Sequence, residues 1–294
     1  MTSIGMIGLG IMGGPMAVNL IKAGHDVVGY DVSPARNAAL EQAGGKVAAG
    51  IGELVQQVDV VITMVRDSAD VEAVALGDEG ILANARPDQL YVDMTSISPG
   101  TSRQVAEAAR ILSVRVLDAP VSGGEAGAIE GTLSIMVGGA AEDFAAALPI
   151  LEVLGGTVVH VGPAGAGQTV KAANQLIVAG TIELVAEAIV FLEAYGVDTE
   201  AAVKVLAGGL AGNRILDRKA AGMLARQYQP GFRIDLHHKD MGIVTSAARE
   251  AGVVIPLGAA VAQLIAAVKA QGDGGLDHSA LLKLVEQLSG RSAG

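Results

Sequence analysis

The stretch IGMIGLGIMGGPMAVNLIKAGHDVVGYD, residues 4–31, constrains this chain more than any other. A short apolar run, Ile4–Ile7, leads into Gly8, Gly10 and Gly13 with GxGxxG spacing. A helical pattern follows over Gly13–Ala23, and a second apolar run, Asp26–Tyr30, ends at Asp31. In a chain with 40 glycines the spacing alone says little. Its place between a strand and a helix, with an acid about 20 residues on, is what makes it specific. Gly8 permits the tight turn, Gly10 lets backbone approach a pyrophosphate, and Gly13 lets helix and strand pack closely. The helix start then offers free N–H groups and a positive dipole to phosphates. Leu9, Ile11 and Met12 complete the predicted dinucleotide loop. Asp31 is placed to accept from ribose hydroxyls and to repel a 2′-phosphate, which favours NAD(H). Arg36, five residues on, tempers that preference and leaves NADP(H) open.

The pattern that begins there continues. Predicted strands at Val58–Met64, Gln89–Asp93, Arg115–Ala119, Ser134–Val137 and Val158–Val161 alternate in the early part with helical stretches at Pro34–Ala43, Ile51–Gln57, Val71–Leu76 and Thr101–Leu112. Such alternation implies a Rossmann-type, doubly wound parallel sheet covered on both faces. After His160 the pattern changes. VGPAGAGQ reads as a joint, and only helical segments follow: about 167–194, 199–207, 214–226, 238–251, 256–271 and 277–288. The expected architecture is therefore α/β, with an NAD-binding domain over 1–163 and an all-α domain over 164–294, joined by a long central helix. That helix, about 40 Å long at 1.5 Å per residue, is apolar on nearly every side and needs neighbours all round. The helical domain is accordingly expected to build a homodimer or homotetramer.

Composition narrows the function. The net charge is −11 and no run of Lys or Arg occurs, which argues against nucleic acid as a partner. Without cysteine there can be no disulfide, thiolate metal site or Cys nucleophile. The N-terminus lacks the basic start of a signal peptide, and no unbroken apolar run reaches the ~18 residues of a membrane helix. A cytoplasmic protein with no membrane partner is expected. His237 and His238 are adjacent, so they point apart on a helix, and no metal site is expected.

Three further stretches carry chemistry. In LDAPVSGG, residues 117–124, a strand runs into Ser122, Gly123 and Gly124, small residues able to form an anion nest for a carboxylate. DMTS, residues 93–96, ends another strand at the sheet edge where ligands of such folds sit. Met64 and Val65 end an earlier strand and are expected beside the adenosine. In GQTVKAANQ, Lys171, Asn174 and Gln175 share one helix face. A lysine there can protonate a carbonyl oxygen as hydride reaches the adjacent carbon. Lys239 and Asp240 are expected at the start of a later helix.

Together GLGIMG, DMTS, DAPVSGG, GxxxKAANQ and FRIDLHHKD resemble the β-hydroxyacid dehydrogenase family over nearly the whole chain. The resemblance implies that residues 4–18 and Thr95 bind the cofactor and that Ser122, Gly123 and Gly124 hold a substrate carboxylate. It implies Lys171 as the catalytic acid, Asn174 as its partner on substrate, Lys239 near the nicotinamide, and Asp240 ordering that corner. GGLAGNRILDRKA, PGFRIDLHHKD and DHSAL look most like a reductase of a small 2-hydroxy-3-oxo acid. Rival readings are a related 3-hydroxy-acid or semialdehyde enzyme and a non-catalytic dinucleotide-binding scaffold. Two departures stand out: Val65-Arg66 where relatives carry Leu-Pro, and Asn213-Arg214 where close relatives carry Ser-Thr or Ser-Arg.

Overall fold

Runs of Val, Ile, Leu and Met without polar interruption favour strands buried on both faces. The computed structural model, which describes residues 2–291, shows this directly. Nine strands form one sheet: β1 Ser3–Ile7, β2 Asp26–Tyr30, β3 Lys46–Val47, β4 Val60–Thr63, β5 Leu90–Asp93, β6 Arg115–Asp118, β7 Val121–Ser122, β8 Ser134–Gly138 and β9 Thr157–Gly162. The order β3-β2-β1-β4-β5-β6 is parallel throughout. Its direction of winding reverses between β1 and β4, the point where doubly wound sheets bind ligands. Beyond β6, β8 runs antiparallel to β6 and β7, and β9 pairs parallel to β8. The sheet is thus mostly parallel, as expected, with an antiparallel step at one side.

Successive side chains on each strand enter different cores. Met6, Ile62 and Val92 join Met16, Ala17 and Leu20 of the helix Gly13–Lys22 on one face. Ile7, Val61 and Tyr91 join Leu54, Val71 and Val105 on the other. That division accounts for strands with no polar alternation.

The chain divides into two compact units, one ending at Lys171 and the other beginning at Ala172. The second is helical: the continuation of the helix Ala166–Ala194, then Thr199–Ala207, Arg214–Leu224, Ile234–Glu250, Pro256–Ala270 and Leu281–Leu288. Ala179 and Ile182 of the long helix pack with Ile234, Met241 and Ile265. Val185, Ile189 and Val190 pack with Leu216, Met223 and Leu282. By length and composition alone the long helix could cross a membrane. Here that inner face is core, while Ile177, Leu184 and Phe191, seven residues apart, stay more than 60% exposed.

Several local expectations need correction. The helix carrying Lys239 and Asp240 starts at Ile234, not near residue 238. Its buried face, Ile234, His237, Met241 and Val244, begins before the histidines, so Lys239 and Asp240 lie in its second turn. Gly124 is not loop but opens a helix, Gly124–Glu130. The helix Ala141–Leu154 escaped sequence reading because it is apolar, carries Pro149, and starts without a side-chain cap.

Candidate active site

The glycine turn is built by steric necessity at two of its three glycines. Gly8 adopts φ +92°, and a Cβ there would lie 2.3 Å from the Met64 carbonyl oxygen. A Cβ on Gly13 would lie 1.9 Å from the Gly8 carbonyl oxygen. At Gly10 the nearest heavy atom would be Arg36 Nη1 at 4.0 Å, so that side of the turn is open. The helix behind it, Gly13–Lys22, has no side-chain cap on its first N–H groups. Open space facing an uncapped helix start fits the pyrophosphate of a dinucleotide. Ile11 is exposed, whereas Leu9 and Met12 pack into the core, so Leu9 can offer a ligand only backbone.

Asp31, at the end of β2, is buried, and its carboxylate already has partners. Oδ2 accepts from the Leu9 N–H at 2.8 Å and Oδ1 from the Ser33 N–H at 2.8 Å. Arg36 Nη1 lies 3.3 Å from Oδ2, with its side chain half exposed. The acid therefore shapes the glycine turn. Met64 and Val65 follow β4 and pack against the two cores. The Val65 N–H donates to Thr95 Oγ1 at 3.1 Å, which ties the ends of β4 and β5. Arg66 forms a two-pronged pair with Asp70 at 2.6 and 2.7 Å on the surface.

Lys171 is only 7% exposed. Its Nζ donates to the Val121 carbonyl at 2.7 Å, immediately before Ser122, Gly123 and Gly124. Gly123 and Gly124 have φ of +138° and +65°, which turns the chain from β7 into its helix. The first unit thus brings the lysine to the predicted carboxylate loop. Two neighbours that sequence reading passed over hold this arrangement. Asp118, at the end of β6, accepts from the Gly165 and Gln168 N–H groups at 2.7 and 2.8 Å, capping the start of the long helix. Gln168 donates to the Thr95 carbonyl at 2.7 Å and accepts from the Ile97 N–H at 3.0 Å. The available signal was spacing: Gln168 stands three residues before Lys171, and Asp118 ends a strand as Asp31 and Asp93 do.

Asp93 is buried beside them. Thr63 Oγ1 donates to its Oδ1 at 2.7 Å and the Thr95 N–H at 3.1 Å, while its Oδ2 is buried with no hydrogen-bond partner among the described residues. Burial pushes its carboxyl up to about 6 against the pull of Thr63 and Thr95, with Asp118 adding to the rise.

The second unit holds the other predicted residues. Asn174, one turn after Lys171 on the same helix, donates to Gln175 Oε1 at 2.8 Å. Gln175 Nε2 donates to Asp240 Oδ2 at 2.6 Å, and Lys239 Nζ lies 3.1 Å from Asp240 Oδ1. Asp240 is thereby fixed between an amide and an ammonium. Asn213 caps the helix Arg214–Leu224, accepting from the Leu216 N–H at 2.9 Å, which accounts for that residue in fold terms. Among the described residues no cluster of three His, Cys, Asp or Glu could hold a metal.

A doubly wound sheet with this glycine turn defines a dinucleotide-binding fold, and similarity to known proteins identifies an NAD(P)-dependent oxidoreductase. The model for the NAD binding domain of 6-phosphogluconate dehydrogenase matches residues 3–162. A second model, described as NAD-binding of NADP-dependent 3-hydroxyisobutyrate dehydrogenase, matches residues 165–285. The chain is 40% identical over 286 residues to the 2-hydroxy-3-oxopropionate reductase of Escherichia coli (strain K12), covering 97% of this chain and 98% of that protein. It is 38% identical to the 3-hydroxyisobutyrate dehydrogenase of Pseudomonas aeruginosa, covering 97% and 98%. Among solved structures, the 3-hydroxyisobutyrate dehydrogenase of Mycobacterium tuberculosis with L-serine aligns with a TM-score of 0.89 at 35% identity, over 97% of this chain and 99% of that one. The chain belongs to the β-hydroxyacid dehydrogenase family and is an oxidoreductase acting on CH–OH groups.

Proposed function

We propose that the protein reduces tartronate semialdehyde (2-hydroxy-3-oxopropionate) to D-glycerate with NADH. The observation that carries this reading is Lys171, a buried lysine whose Nζ donates to the Val121 carbonyl at 2.7 Å beside the Ser122–Gly124 turn. Reduced nicotinamide, when bound, supplies hydride to the aldehyde carbon. As the carbon–oxygen double bond becomes single, negative charge gathers on oxygen. Lys171 stabilises that charge and delivers the proton that completes the hydroxyl. Ser122 and the Gly123–Gly124 backbone hold the substrate carboxylate, and Asn174 holds a hydroxyl. Asp240 fixes Lys239 on the cofactor side. The first 163 residues bind the dinucleotide. Asp31 favours NADH, and Arg36 is the group that admits NADPH.

The choice of substrate rests on the 40% identity to 2-hydroxy-3-oxopropionate reductase. Oxidation of 3-hydroxyisobutyrate is the second reading, favoured by the 38% identity to a dehydrogenase of that acid. The test is kcat/KM for tartronate semialdehyde with NADH and NADPH, set beside 3-hydroxyisobutyrate, succinic semialdehyde and glyoxylate. A tenfold preference, about 1.4 kcal/mol in transition-state binding, supports the first reading. Preference for another acid overturns the substrate but leaves the chemistry. Lys171→Ala is expected to lower kcat by roughly 10²–10⁴-fold with the NADH dissociation constant unchanged. Near-normal kcat would remove Lys171 from the mechanism, and NADH binding without turnover of any acid would favour a scaffold.

The same proposal extends to assembly in the cytoplasm as a homodimer or homotetramer. A second copy is the partner that covers Ile177, Leu184 and Phe191, and light scattering on Leu184→Glu reads whether the oligomer depends on that stripe.

A further inference from the structure

The start of the long helix is locked more firmly than a helix start requires. Gly167 lies so close to β8 that a Cβ would meet the Met136 carbonyl oxygen at 2.4 Å. Asp118 caps the turn with both carboxylate oxygens. One cap and one close approach suffice to anchor a helix. Gln168 adds a different connection. Only 1% exposed, it crosses to the loop after β5, donating to the Thr95 carbonyl and accepting from the Ile97 N–H. Its amide pairs with residues i and i+2 of that loop as a neighbouring parallel strand would. The donor and the acceptor are both used, and the primary amide of Gln supplies them from two separate atoms.

That bridge completes a line of contacts. The glycine turn abuts the Met64 carbonyl at Gly8. The next residue, Val65, donates to Thr95 Oγ1. The Thr95 carbonyl accepts from Gln168. Lys171 lies one turn further on the same helix face. Each link is a close backbone approach or a buried or part-buried hydrogen bond, so the line has little slack.

We propose that Gln168 is a positioning residue that sets the reach of Lys171 relative to the dinucleotide edge of the sheet. The proposal rests on Lys171 being the acid. Hydride and proton must arrive at adjacent atoms, and a displacement of about 1 Å can cost on the order of 10²-fold in rate. Gln168 does not touch substrate; it acts through the helix that carries the lysine.

The experiment is a double-mutant cycle with Gln168→Glu and Lys171→Ala. Glutamate keeps the shape and the acceptor for Ile97 but loses the donor to Thr95. Five quantities are read on the full-length protein: kcat and KM for the semialdehyde, the NADH dissociation constant by fluorescence titration, the deuterium isotope effect with 4-deuterated NADH, and Tm. In the wild-type background Gln168→Glu is expected to lower kcat by ~10–100-fold and to raise the isotope effect, with KM and NADH affinity within about threefold. In the Lys171→Ala background the same change should cost less than about twofold, because the group it positions is gone. Multiplicative losses in the two backgrounds overturn the proposal. So does a loss of kcat matched by an equal loss of NADH affinity, which would make Gln168 a support of the cofactor site. If Gln168→Glu melts below the assay temperature, Gln168→Asn, which keeps both donor and acceptor, is measured in its place. An unchanged kcat in every folded variant also overturns it. A normal kcat in Lys171→Ala alone overturns the acid assignment, and is read on a different protein from the Gln168 result.

Discussion

Asp93 and Asp118 in the first unit and Asp277 in the second are equally deep, each 2% exposed, yet their carboxyls move in opposite directions. Among the described residues neither Asp93 nor Asp118 forms an ion pair. Hydroxyls and backbone N–H groups satisfy them in part, and burial raises both. Burial also acts to raise Asp277, but His278, Lys219 and Ser279 outweigh it and hold the carboxyl below its usual range. Burial and His237 keep His278 itself well below the ordinary histidine range, so it is neutral near pH 7. Lys219, at 2.8 Å, is therefore the cation that counts. Depth alone does not separate these three acids; a close cation does. Asp93 and Asp118 at the sheet edge rest on hydroxyls and N–H groups, whereas Asp277 in the helical unit is paired with Lys219 and serves as a strut.

Removing Lys219 should test the strut with the largest effect. Lys219→Met leaves Asp277 charged and buried, and urea denaturation at pH 7 is expected to show a loss of about 3 kcal/mol. A loss below about 1 kcal/mol would erase the contrast between the units. Asp93→Asn tests the other side. Because the folded carboxyl sits near 6 and the unfolded one near 3.8, the folded state holds the extra proton between those values. Asp93 therefore contributes most below pH 3.8, and that contribution is lost as pH rises through 6. The stability of wild type relative to Asp93→Asn should fall by up to about 3 kcal/mol from pH 4 to pH 7. A flat difference would mean that Asp93 ionises freely. Arg36→Ala gives the smallest change in stability, about 0.5 kcal/mol or less, because its side chain is half exposed beside Asp31. Its effect should appear in binding instead: titration should show NADPH weakened by roughly tenfold and NADH by less than threefold. Equal losses would remove Arg36 from cofactor choice.

The same contrast governs how much could be read from sequence. The doubly wound sheet was legible because parallel strands are continuous apolar runs, and β2 was placed to the residue. The glycine turn, Asp31 and Lys171 were legible because each sits at a fixed offset from a strand or helix end. β3 and β7, two residues each, carry no periodicity to detect. Gln168 was hidden for another reason: its amide pairs with residues 71 and 73 positions away, a distance no local pattern spans. Asp240 with Gln175, 65 positions apart, is the same case. The link between Asp277 and Lys219 spans 58. In the helical unit the contacts that fix Asp240 and Asp277 are of this long-range kind.

The three glycines of the turn differ in what demands them. Gly8 and Gly13 are demanded by the chain itself, since backbone oxygens already occupy the space a Cβ would take. Gly10 faces open space, so only a visitor requires it to be bare. A population of variants selected for folding alone would keep the first and third and let the second drift. One selected for turnover would hold all three, so position 10 records whether a lineage still uses its dinucleotide.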